Sequence, residues 1–231
     1  LFTVLSIIGT LIIGFFLGKF IKIEKKTSYL ISNGTAICGG SAIAAISPII
    51  KADEKQISVA LGTIFILNSI ALVVFPYIGH SLDLSQSQFG LWCAIAIHDT
   101  SSVVGAASKY GQESLEIATT VKLARALWII PIAFISTVIF KNKGGKVKVP
   151  YFIGLFVLAM ILNTYVPFVQ NLSPYLTGIA KAGLTLTLFL IGCGLNRKLL
   201  QSVGFKPLIH GIVLWAIISV ASLLVIKSLT S

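Results

Sequence analysis

Four residues in this 231-residue chain place reactive or charged side chains where the surroundings are apolar: His98, Asp99, Lys122 and Arg125. Each sits inside a run of aliphatic and aromatic residues. A charge at the centre of a bilayer costs roughly 2.5 kcal/mol or more on insertion scales. Such side chains persist when they are buried among helices, paired with one another, or in contact with a solute. Lys122 and Arg125 stand three residues apart and therefore share a helix face. Asp99 can neutralise one of them, and a small anion would complete the balance. Arginine's planar fork suits an oxyanion such as sulfate or a carboxylate. The plainer alternative is that Lys122 snorkels to an interface while Arg125 pairs with Asp99.

The segment His98-Asp99-Thr100-Ser101-Ser102 begins ~12 Å into its apolar run at 1.5 Å per residue, close to the middle of a bilayer. His98 and Asp99 are both groups able to carry a coupling proton. The alternative is a polar cluster satisfied internally. A second constellation is Asn33-Gly34-Thr35-Ala36-Ile37-Cys38-Gly39-Gly40-Ser41-Ala42. Its glycines permit unwinding or close helix approach. An unwound stretch would offer the backbone and hydroxyl donors of Thr35, Cys38, Gly39, Gly40 and Ser41 to an anion. Packing of small residues explains the same pattern. No Gly-Lys-Ser/Thr follows, so this is not a phosphate-binding P-loop. Asn68, Ser69 and the run Gly192-Cys193-Gly194-Leu195-Asn196 are weaker candidates, and Gly14 with Gly18 reads as a helix-packing pair.

The elements that must position these residues are membrane helices. Hydrophobic residues make up 56% of the chain and charged residues 11%, with a mean hydropathy of +0.97. Soluble domains carry about 25% charged residues. The net charge of +11 does not point to nucleic acid, because the basic residues fall between apolar runs in the positive-inside manner. Cys38, Cys93 and Cys193 lie in apolar segments as packing residues, and their spacing gives neither a disulfide framework nor a metal site. No cofactor is expected.

Eight apolar segments are counted: 1–18, 35–50, 57–78, 90–107, 117–140, 151–169, 179–195 and 208–226. The second is short for a span, which needs about 20 residues, and the fourth is interrupted by polar residues. Such breaks point to a transporter site. If all eight cross, one side receives Lys19, Lys22, Lys25, Lys26, Lys141, Lys143, Lys146, Lys148, Arg197, Lys198 and Lys206. The other receives Lys51, Lys55, Lys109 and Lys227. The first side is then cytoplasmic and the C-terminus lies outside. A re-entrant path over Thr35–Ile50 alone would put the last two basic clusters opposite to the first, so a full crossing is preferred. The chain begins inside an apolar run, and helices are expected upstream of this single transmembrane domain, residues 1–231.

Three motifs carry a family resemblance. They are the run Gly34 to Ala45, then Gly90-Leu91-Trp92 with Ile97-His98-Asp99, then Ala118-Thr119 with Val121-Lys122-Leu123-Ala124-Arg125. Their order and spacing resemble the bacterial sulfate exporter family of YeiH type over essentially the whole chain. At Ser101-Ser102 many members differ, which weakens any role specific to a hydroxyl. The resemblance implies an all-α, multi-spanning inner-membrane protein of the inverted-repeat, broken-helix transporter kind. The expectation is a secondary transporter for a small anion, sulfate or a sulfonate, with His98 and Asp99 available for a coupling ion, proton or sodium. It is not expected to be an enzyme, and a homo-oligomer is compatible with it. A sodium/proton exchanger built on Asp99 and His98 is the rival, although only one carboxylate lies deep. An intramembrane enzyme is a more distant one, since Ser101 and Ser102 are too close to His98 along the chain to form a triad.

Overall fold

Helix α1 (Phe2–Ile21) is apolar all round and leaves Leu5, Phe15, Phe16 and Phe20 exposed. Such a surface belongs in lipid rather than water. It opens an all-helical chain in a computed structural model that describes residues 2–140, 151–194 and 203–230. The other helices are α2 (Lys25–Ala36), α3 (Gly40–Ile46), α4 (Glu54–Ser81), α5 (Gln86–Ala96), α6 (Thr100–Tyr110), α7 (Gln112–Ala126), α8 (Ile129–Ile139), α9 (Tyr151–Tyr165), α10 (Pro167–Gly194) and α11 (Phe205–Thr230). Among the described residues four helical stretches are long and apolar enough to cross a membrane: Thr3–Ile21, Glu54–Ser81, Gln112–Ile139 and Phe205–Ser228. Lys141 to Lys148, Leu195, Asn196, Arg197 and Lys198 lie outside the described residues.

Two expected crossings are corrected. The chain over α2–α3 enters and returns to the same face. Lys26 Nζ donates to Lys51 O at 2.5 Å, and the Gln56 amide donates to the Glu24 carboxylate. The segment over α5–α6 also returns. Tyr110 OH donates to Leu84 O at 2.6 Å, and the amides of Glu113 and Ser114 donate to Gln86 Oε1 at 3.1 and 3.4 Å. Laid end to end, α5 and α6 would separate Leu84 from Tyr110 by ~35 Å. Both segments are therefore re-entrant hairpins, and Thr35–Ile50 and Gly90–Ala107 do not span.

The hairpins enter from opposite faces. Capping boxes fix where their neighbours start: Asp53 with Gln56 opens α4, and Ser85 with Gln88 opens α5. From Asp53 the 28 residues of α4 run ~42 Å to the other face. There His80 stacks on Tyr110 with ring centroids 4.3 Å apart. The α7–α8 span brings the chain back. Tyr29 OH and Ser136 Oγ lie 2.8 Å apart, and the Tyr29 and Phe140 rings 5.1 Å apart. Each hairpin has its own apolar cluster, Leu30, Ile31, Ile43 and Ile64 around the first, Phe75, Phe89, Trp92 and Val103 around the second.

Helix α11 ties both clusters together. Near its start, buried His210 lies 3.4 Å from Ser32 Oγ. Further along, Trp215 Nε1 donates to Ala96 O at 3.0 Å, and Ser219 O accepts from Trp92 Nε1 at 2.9 Å. The Gly14–Gly18 packing expectation holds. A Cβ at either position would sit within 2.1 Å of the hydroxyl oxygen of Ser32 or Ser28 on α2.

The fold gives a direct test of sidedness. With Cys193 replaced by serine, Lys25→Cys and Lys51→Cys should react with an impermeant thiol reagent from one side, and Lys109→Cys from the other. Labelling of Lys51→Cys from the Lys109 side would restore the full crossing.

Candidate functional site

The two hairpin tips meet. The first breaks at Ile37-Cys38-Gly39, the second at Ile97-His98-Asp99. Gly39 has φ +66°, and a Cβ there would lie 3.3 Å from Asp99 N, Asp99 Cβ and the His98 carbonyl carbon. Glycine is thus required twice at this contact, for the backbone angle and for the approach. The contact lies between the faces from which the hairpins enter.

A helix end leaves backbone carbonyls without partners, and these carry partial negative charge. At each tip a cation from α7 satisfies them. Lys122 Nζ donates to Ile97 O at 2.6 Å and to Ala94 O at 3.3 Å, at the end of α5. Arg125 Nη2 donates to Ala36 O, the last carbonyl of α2, and Nη1 donates to Ser6 Oγ at 2.9 Å. Both cations are 0% exposed. The one-face spacing read from the sequence therefore has a physical purpose, since one helix secures both tips.

Asp99 is occupied elsewhere. Its Oδ1 accepts from Ser102 N at 2.8 Å and its Oδ2 from Ser102 Oγ at 2.7 Å, the N-cap of α6. The hydrogen bonds of Arg125 go to Ala36 O and Ser6 Oγ, not to Asp99, so the expected alternative of an Arg125–Asp99 pair is not the arrangement found. Nor does Lys122 snorkel.

His98 is held by Asn68 on α4. Asn68 Oδ1 accepts from His98 N at 3.0 Å and lies 3.1 Å from His98 Nδ1. Since that oxygen can only accept, the ring proton sits on Nδ1 and the lone pair on Nε2. His98 Nε2, Asn68 Nδ2, Arg125 Nε, Thr35 Oγ1 and Asn33 Oδ1 are buried without a hydrogen-bond partner among the described residues. Buried polar atoms are normally satisfied, so each of these orphans calls for a partner such as a solute, water or ion.

The structure brings together Thr35, Cys38, Gly39, His98, Asp99, Lys122 and Arg125 on the arms and tips or against them. Gly40 faces Leu61 and Phe65 of α4, and Ser41 is exposed with its hydroxyl toward the Cys38 thiol. Thr100 and Ser101 open α6, the first half-buried and the second buried. Three contributors were not singled out by sequence: Ser6, Trp215 and His210. An indole in an apolar segment needs a partner for its N–H, which was the available signal for Trp215.

Opposed re-entrant hairpins with a buried cationic centre define a polytopic helical membrane protein built on broken helices. The chain belongs to the family described as conserved hypothetical protein 698, the UPF0324 membrane proteins, whose model matches residues 1–211. It is 60% identical over 224 residues to a UPF0324 membrane protein of Bacteroides thetaiotaomicron, covering 96% of this chain and 68% of that protein. A Porphyromonas gingivalis relative is 53% identical over 227 residues, covering 96% and 69%. One from Vibrio parahaemolyticus is 54% identical over 223 residues, covering 94% and 72%. These names identify membrane proteins and state no substrate. No solved structure matches the chain.

Proposed function

We propose that the chain forms the core of a secondary transporter for a small anion, sulfate or a sulfonate first, in a bacterial inner membrane. One observation carries the reading. Two fully buried cations, Lys122 and Arg125, stand at the tips with Asp99 as the one buried acid among the described residues, and its oxygens are taken by Ser102. Two N–H donors, Arg125 Nε and Asn68 Nδ2 of the residue that holds His98, lack acceptors among the described residues. An oxyanion would supply both the charge and the acceptors. The resemblance to the sulfate exporter family supports the same substrate class.

The architecture supports alternating access. Each hairpin is followed by a 28-residue span, Glu54–Ser81 and Gln112–Ile139, and the two units run in opposite directions. The reading takes them as an inverted repeat with the solute at the crossing of the broken helices. His98 Nε2, an acceptor without a partner, is the place for a coupling proton. Lys19, Lys22, Lys25, Lys26, Lys51 and Lys55 share one face, the cytoplasmic one by the positive-inside rule, and the C-terminus then lies outside. An enzymatic reading gains no support at the tips, since Ser102 Oγ donates to Asp99 and the His98 ring to Asn68, and among the described residues there neither hydroxyl nor ring forms a nucleophile–base pair.

Calorimetry on the purified protein tests this. The wild type should bind sulfate or a sulfonate, and Arg125→Ala should lose binding by about 100-fold, the 2–5 kcal/mol expected for truncating one partner of a buried charge contact. Unchanged affinity would remove Arg125 from the site.

A further inference from the structure

A second polar feature lies away from the tips. A cavity of about 1000 Å³ separates α6 and α7 from α9 and α10. On α7 its wall is a polar stripe, Gln112, Glu116, Thr119 and Thr120, on an element that continues into a membrane span. The facing wall is polar too, with Gln170 and Thr177 of α10. Polar side chains on both walls of the cleft favour water over lipid between them. The volume accommodates on the order of 30 waters at ~30 Å³ each.

The charge of the wall is specific. Among the described residues that line it none is basic, and Glu116 is the one acid. Gln112 Nε2 donates to Glu116 Oε1 at 2.8 Å, which orients the carboxylate at the level of the second hairpin's entry. Lys109 and Glu113 flank that entry in solvent and offset each other. The cavity runs ~12 Å along α7 from Gln112 to Thr120. On α6 it reaches Val104, one turn from Thr100 at the tip.

We propose that this cavity is a hydrated vestibule that draws small monovalent cations toward the second hairpin tip from the face opposite Lys25 and Lys51, with Glu116 as the attracting charge. The polar groups set in this wall, hydroxyls, amides and one carboxylate between Val104, Leu115 and Pro174, solvate a cation and repel a dianion. The vestibule is thus a route separate from the cationic centre of Lys122 and Arg125, and it stands whether or not that centre binds an anion.

The test uses thiol reactivity in liposomes holding the chain with Cys193→Ser, since Cys38 and Cys93 are buried. Thr120→Cys, and Thr177→Cys on the other wall as a second position, are treated with impermeant methanethiosulfonates of opposite charge, the ethylammonium and the ethylsulfonate. Reaction is expected only from the side that labels Lys109→Cys. The cationic reagent should be favoured by ~10-fold or more relative to a free thiol, the lower range of electrostatic focusing in a cleft. Adding Glu116→Gln should bring the ratio back toward the free-thiol value. Three results would overturn the proposal: both positions unreactive while Lys109→Cys reacts, preference for the sulfonate, or a ratio indifferent to Glu116→Gln. None depends on Arg125, so failure here and failure of the anion reading are separable.

Discussion

Gly39→Val should destabilise the protein by about 3 kcal/mol and abolish the proposed anion transport. The backbone at this position has φ +66° and ψ −125°, a region that costs ordinary residues on the order of 1–3 kcal/mol and β-branched residues the most. The added side chain also has to displace backbone, because its Cβ meets Asp99 N and the His98 carbonyl carbon at 3.3 Å. The flexible end of a side chain could yield, but the tip of the opposite hairpin cannot without moving His98 away from Asn68. At ~2–4 °C per kcal/mol for a chain of this length, the midpoint of thermal unfolding should fall by roughly 6–12 °C. Gly40→Ala is the control one residue on. Its Cβ would meet Leu61 and Phe65 at ordinary contact distances of 3.5 Å, so a change below about 1 kcal/mol is expected. Equal shifts for the two variants would show that the tips do not meet at Gly39.

Lys122→Met should lower anion flux in proteoliposomes by about 100-fold while the protein still folds. Methionine keeps much of the length and the apolar stem of lysine. It removes the ammonium that bonds Ile97 O at 2.6 Å and Ala94 O at 3.3 Å. Loss of one member of a buried charged contact costs 2–5 kcal/mol, and ~2.7 kcal/mol is a factor of 100. Two consequences follow together: the end of α5 loses its cap, and the centre loses one of its two positive charges. Lys122→Arg should not rescue flux, since a planar fork does not replace a compact ammonium set between two carbonyls. Flux within a few-fold of wild type in Lys122→Met would leave Lys122 a purely structural cap.

The breaks at Gly39-Gly40 and at His98-Asp99 were legible in the sequence, and so was the depth of Lys122 and Arg125. The path through the breaks was not. With two hairpins in place of two crossings, the parity of the chain is restored, so the later basic clusters fall on the same side under either path. Only Lys51 and Lys55 change sides, and two lysines do not outweigh the rest of the charge pattern. A single re-entrant segment would have disturbed that pattern visibly, which is why a full crossing looked better. The pairing of polar groups was hidden for a different reason. Both cations hold helix-terminal carbonyls, Ala36 O for Arg125 and Ile97 O for Lys122, and backbone partners leave no trace in residue type. Asn68 was visible as a candidate on an apolar helix, but its role as the acceptor for His98 depends on where α4 meets the second tip.

The proposed function requires an anion in the cationic centre between the hairpin tips. Thermal stabilisation of the purified protein across sulfate, sulfonates, carboxylates and chloride, with Arg125→Ala measured beside it, addresses it most directly. A ligand that binds only the folded state raises stability by RT ln(1 + [L]/Kd), about 2.7 kcal/mol at a hundred times Kd. Sulfate or a sulfonate should stabilise the protein in a concentration-dependent way, chloride should do little, and in Arg125→Ala the same concentration should give no more than about 0.4 kcal/mol. Indifference to every anion, with a response to sodium or to pH near neutrality instead, would contradict that requirement and move the function to cation exchange at His98 and Asp99.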